Sequence, residues 1–108
     1  MLRHALVRFA FSLLCVLGLG LTGCVTYIPV DEYNLARAAY ESAKEWDAAR
    51  YAPALWFNAE QTYRTAQKAF RDRRQEEARE LFSEARVLCE KAENAARLAR
   101  YQSGDIIP

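Results

Sequence analysis

Apolar and polar positions divide the chain into an unbroken apolar leader and an amphipathic remainder. Phe9 to Leu21 carries no charge, and Arg3 and Arg8 precede it without any acid. Beyond Asp31 the apolar residues recur at spacings of three and four, the period of one helix face, and no period-two strand alternation appears. The pattern predicts an all-α fold: a small three-helix assembly made of an N-terminal helix plus an antiparallel, Ala-rich helical hairpin.

The first helix is expected from Glu32 to Arg50, with Asp31 as its N-cap. Leu35 or Ala36, Ala39, Ala43 and Trp46 form its apolar stripe, flanked by Tyr33 and Tyr40. Tyr51-Ala52-Pro53 breaks it, because Pro53 lacks the N–H a helix interior needs yet suits the first turn of a new helix. The second helix then runs to Phe70 or Arg71. Its Trp56, Tyr63 and Phe70 lie seven apart, with Ala59, Thr62, Ala66 and Ala69 beside them. Arg71 to Glu77 is polar throughout, and Asp72 with Gln75 resembles a capping box, placing a turn near Arg71 and Asp72. One continuous helix from Pro53 to Tyr101 is the competing reading. The third helix carries a heptad seam of Ala78, Leu81, Ala85, Leu88, Ala92, Ala95 and Ala99. Alanines there let two backbones approach closely, and aromatics from a facing helix fill the space left. Gly104 and Pro108 keep the tail from Gln102 onward out of the helix.

The leader is too short to be a firm span. Its 13 uncharged residues fall well below the roughly 20 apolar ones that cross a bilayer, and Gly18 and Gly20 weaken it as a helix. No Ala-x-Ala site ends it. Leu21-Thr22-Gly23-Cys24 instead resembles the lipobox of bacterial lipoproteins. That resemblance implies that residues 1–23 are a cleaved signal peptide, that the Cys24 sulfur carries diacylglycerol, and that residues 24–30 are a short lipidated tether. The helical domain would then span 31–101 and the tail 102–108. Val25, where an Asp would retain the lipoprotein at the inner membrane, resembles the outer-membrane-directed class of a Gram-negative host. The alternative is an uncleaved N-terminal anchor with Cys24 an ordinary thiol.

Cleavage removes 23 of the 108 residues and leaves 85, with 13 Lys and Arg against 14 Asp and Glu. That balance argues against nucleic acid as a partner. His4 and Cys15 leave with the leader, so neither an intramolecular disulfide nor a His- or Cys-rich metal site is expected, and no cofactor beyond the lipid on Cys24. Cys89 flanks the seam and reads as a small buried hydrophobe, against an intermolecular disulfide as the alternative. The acids read as solvated helix faces: Glu76, Glu77, Glu80 and Glu84 open the third helix while Arg97 and Arg100 close it, matching the helix dipole. Glu41, Glu45 and Asp47 belong to such a face rather than to a divalent-ion site. With no nucleophile or base to complete a site, the chain reads as a non-enzyme without a small-molecule substrate. Two contact candidates remain. Trp46, Tyr51, Trp56 and Phe57 cluster around the first break and form a possible contact patch. Arg71, Arg73 and Arg74 concentrate positive charge at one end of the hairpin, as a contact for anionic lipid or an acidic partner, or simply as a solvated loop.

The stretches YNLARAAYESAKEWDAARYAP and AEQTYRTAQKAFRDRRQEEARELFSEARVL resemble the domain-of-unknown-function 4398 family over roughly residues 31–100. The resemblance implies an envelope lipoprotein domain with a helical hairpin, and carries no catalytic residue to any position. Members commonly have a Gly-Asp-type turn between the last two helices, where this chain has Arg71-Asp72. The Trp56-to-Tyr63 interval also matches a tetratricopeptide repeat, but Asp72 stands where that repeat needs Ala, so the match fails. The function expected is that of an outer-membrane-anchored periplasmic lipoprotein, a structural or adaptor element held to the membrane by its lipid. Its partner would be an envelope protein or a second copy of itself. A periplasmic carrier or chaperone for a lipid or unfolded polypeptide is the alternative.

Overall fold

The computed structural model describes residues 1–18 and 27–105. It contains α1 (Leu2–Gly18), α2 (Val30–Glu45), α3 (Ala48–Tyr51), α4 (Pro53–Arg71) and α5 (Gln75–Ser103). The fold is all-α, and α4 and α5 form the antiparallel hairpin. α2 lies alongside α5 in the same direction: Tyr33 near its start packs on Phe82, and Trp46 just past its end packs under Arg97. Among the described residues, α1 touches none of the other helices.

Alanine sets the spacing of the core. Ala36 and Ala43 of α2, Ala59, Ala66 and Ala69 of α4, and Ala78, Ala85, Ala92 and Ala96 of α5 are completely buried. A methyl group lets backbones come close, and α5 uses this on two sides, against α4 and against α2. The wider space between α2 and α4 is filled by rings. Trp56 stacks on Tyr40 (centroids 5.1 Å apart) and Tyr40 on Tyr63 (4.3 Å), while Tyr63 meets Phe82 edge-on at 6.1 Å. Phe82 in turn contacts Tyr33 and Phe70, which stack on each other at 5.8 Å. Each such pair adds about 0.5–1.5 kcal/mol beyond its buried area.

The buried seam of α5 differs from the one expected. Ala78, Ala85 and Ala92 hold, but Phe82, Cys89 and Ala96 are the fully buried partners; Leu81, Leu88, Ala95 and Ala99 are half-buried at the edges. Two neighbours press on α5, and the stripe centres between them. The expected first helix is also two helices. Asp47 adopts a left-handed conformation (φ 57°), and its N–H donates to the Lys44 carbonyl at 2.9 Å, ending α2. Asp is among the few non-glycine residues that tolerate this region. The break around Ala52-Pro53 stands where expected.

Three cap assignments are corrected. α2 begins at Val30 behind a buried Pro29, so Asp31 lies in its first turn instead of capping it. The Asp72–Gln75 capping box does not form: no side chain caps α5, and the Gln75 Oε1 is buried without a partner. α5 also continues through Ser103, past the expected end at Tyr101, before Gly104 (φ 78°) stops it.

The turn itself is real, which excludes one continuous helix. α4 ends in a Schellman motif, with the Arg74 N–H donating to Ala69 O (2.9 Å) and the Arg73 N–H to Phe70 O (3.2 Å). Arg73 occupies the left-handed position of that motif, φ 59°, which is strained for a residue with a Cβ. Arg73→Gly is therefore expected to stabilise the domain by about 1 kcal/mol. Urea unfolding measures this, and an unchanged or lowered midpoint would show that the turn carries no such strain.

Candidate functional site

The four aromatics of the first break separate in the structure. Trp56 is half-buried in the ring stack with Tyr40. Phe57 is exposed on α4. Trp46 and Tyr51 remain together, at the corner where α2 turns through α3 beside the last turns of α5.

An open groove of about 420 Å³ lies there, lined by Trp46, Asn94, Arg97, Leu98, Tyr101 and Asp105, with Arg100 beside them. The turn at Asp47 creates it, because α2 ends short of the last turns of α5 and leaves their outer face uncovered. Leu98 and Tyr101 are 58% and 72% exposed. Arginines stack on the rings. The Arg97 guanidinium sits 4.5 Å from the Trp46 centroid, and Arg100 lies 5.4 Å from both Trp46 and Tyr51. Arg50 covers Tyr51 at 5.2 Å. Such cation–ring contacts contribute about 0.5–1 kcal/mol each at exposed sites.

Polar contacts fix the rim. Tyr51 donates from its hydroxyl to the Asp105 carboxylate at 2.7 Å, while the Ser103 hydroxyl donates to the Arg100 carbonyl at 2.9 Å and shares its proton with the same Asp105 oxygen at 3.4 Å. The bond from Tyr51, then the one from Ser103, holds the Asp105 carboxyl below its usual range, with Arg50 and Arg100 acting the same way. The same bond raises the Tyr51 phenol. Arg97 pairs with Glu93 at 2.7 Å. Sequence reasoning missed the α5 half of this groove, since Leu98 and Tyr101 fall outside the seam and read as ordinary surface. Their spacing of three on one face was the available signal.

The basic turn lies at the other end of the bundle, beside Tyr33 and Phe70. Arg74 pairs with Glu77 and, at 3.4 Å, with Asp72. Arg71 borders a small surface dent with Tyr33, Gln67, Phe70 and Phe82, and Arg73 is exposed. This end therefore mixes both signs, with Arg74 paired locally and Arg71 and Arg73 exposed. Leu21, Thr22, Gly23 and Cys24 lie outside the described residues.

These features define a small helical-hairpin domain with a filled aromatic core and an open arginine–aromatic groove. The chain belongs to the family described as Domain of unknown function (DUF4398), whose model matches residues 31–104. No curated protein and no solved structure matches the chain.

Cys89 sits among Ala92, Ala96 and Ala59 with no exposure. A thiol so enclosed reaches no partner chain without opening the core. Burial pushes it up to about 11, and burial also raises the phenols of Tyr40 and Tyr63. The unfolded chain releases the thiol proton near its ordinary value of about 8.5, whereas the folded chain holds it. Its contribution to stability is thus intact below that pH and lost as pH rises toward 11. Unfolding midpoints across this range are expected to fall less steeply in Cys89→Ala than in the parent, the residual slope coming from the tyrosines. Parallel pH profiles would show that the thiol titrates freely in the folded domain.

Proposed function

We propose that this chain is an outer-membrane-anchored periplasmic lipoprotein, a non-catalytic structural or adaptor element of the cell envelope. The observation that carries the anchoring is the run from Arg3 and Arg8 through the uncharged Phe9–Leu21 segment to Leu21-Thr22-Gly23-Cys24. Support comes from α1, which touches none of the other described helices and so suits a segment absent from the finished domain. Among the described residues no helix is long and apolar enough to cross a membrane. More than one acyl chain anchors a protein stably, at about 0.8 kcal/mol per buried CH2.

The adaptor role is supported by the exposed groove, whose Trp, Tyr and Arg side chains are the types that dominate protein interfaces. The carrier reading draws on the same groove, since about 420 Å³ with apolar walls is within the range of small-ligand sites. The groove is open on one side, and the interior is filled by rings and methyl groups, so a carrier would have to hold its cargo at the surface.

Cys24→Ser is expected to abolish palmitate labelling and move the chain from the membrane to the soluble envelope fraction. Membrane association that survives the substitution would overturn the lipid anchor.

A further inference from the structure

An adaptor needs a surface that recognises its partner, and the groove at the end of α5 has a definite chemistry. Its apolar wall is Trp46, Leu98 and Tyr101. Its two arginines differ in how their charge is met. Arg97 is matched by Glu93 at 2.7 Å. Arg100 has no carboxylate within ion-pair distance among the described residues, and its Nε is closed to solvent without any acceptor. Asp105, on the same rim, is near enough to feel the Arg100 charge but is hydrogen-bonded to Tyr51 and Ser103 instead.

Arg100 is also held in place. Trp46 and Tyr51 each lie 5.4 Å from its guanidinium, so the group is flanked by two rings before anything binds. A guanidinium ordered in advance loses little freedom on pairing, and its fork matches a carboxylate. Partial withdrawal from water strengthens that pairing over one at an open surface. An apolar wall next to a preorganised cation that forms no ion pair among the described residues calls for a ligand that presents an aliphatic or aromatic group beside an acid. The open trough suits side chains displayed on a polypeptide, because an enclosed site would be needed to bury most of a small molecule.

We propose that this groove docks a partner protein through an acidic–apolar segment. A carboxylate pairs with Arg100, and an adjacent Leu, Ile or Phe lies against Trp46, Leu98 and Tyr101. The assignment rests on the adaptor reading and adds to it the chemistry of the partner.

The test is selection of a random phage-displayed peptide library on the full-length, detergent-solubilised protein. Enriched peptides are expected to join Asp or Glu to Leu, Ile or Phe at neighbouring positions. They should bind Arg100→Gln about tenfold more weakly, a loss of about 1.4 kcal/mol. Arg100→Lys, which keeps the charge but not the planar fork, should fall between, and Arg73→Gln at the far end should bind like the parent. Unchanged thermal melts of both Arg100 variants keep the comparison free of unfolding. No enrichment over detergent alone, enriched peptides without acids, or affinity indifferent to Arg100→Gln would each overturn the proposal. So would phosphatidylglycerol vesicles displacing the peptides, or a dimer in sedimentation that Arg100→Gln dissolves; these would put a lipid headgroup or a second copy in the groove. If selection fails while crosslinking in intact cells still joins the anchored chain to an envelope protein, the groove is wrong and the adaptor reading stands. Failure of both removes the adaptor reading as well.

Discussion

Close contact on two sides of α5 is the constraint from which the rest of the domain follows. Ala78, Ala85, Ala92 and Ala96 present nothing larger than a methyl, and both neighbours answer in kind, with Ala36 and Ala43 on one side and Ala59, Ala66 and Ala69 on the other. Interiors pack to crystal-like density, so a seam this narrow fixes how the helices lie against each other. It also buries little area per residue, which a chain this small needs to recover elsewhere. The rings of Tyr33, Tyr40, Trp56, Tyr63, Phe70 and Phe82 recover it. Each aromatic buries about 150–250 Å² when enclosed, and together they form an unbroken chain of ring contacts from Trp56 to Phe70.

The groove is a consequence of the same geometry. α2 follows α5 until Trp46, where Asp47 turns the chain toward α4. Beyond that corner nothing in the described domain lies over the outer face of the last turns of α5. Leu98 and Tyr101 are left uncovered there, and among the described residues Arg97 forms an ion pair and Arg100 does not. The other end differs: Arg74 is neutralised locally and the rings of Tyr33, Phe70 and Phe82 close the bundle. The two ends of one hairpin are thus chemically distinct, and the chain enters the domain at the closed end, through the buried Pro29 next to α2.

Much of this was legible in the residues, because Ala and aromatic spacing reports directly on burial. Pro53 located one break, and the aromatic spacing of α4 identified its inner face. The seam of α5 was half legible. Ala78, Ala85 and Ala92 are shared by two phases, one running through Leu81 and Leu88 and the other through Phe82 and Cys89. A Leu and a Phe satisfy the period equally well, and only the presence of a second neighbour on α5 selects Phe82. The corner at Asp47 was hidden for a different reason. It has neither Pro nor Gly; Asp47 only tolerates the left-handed region, and Trp46 and Ala48 on either side of it are packed into the core. Arg73 is the parallel case: the turn was legible from the polar run, but the strained position within it was not.

Hydrogen exchange of the folded domain tests the two-sided seam most directly. If α5 is the shared spine, its amides from Ala78 to Ala96 open only when the whole domain unfolds, and the central amides of α2 and α4 share that same exchange free energy. If the amides of α2 instead exchange in a separate, less stable opening while the α4–α5 hairpin stays protected, α2 is an attachment to the hairpin. The seam then does not hold the three helices as one unit.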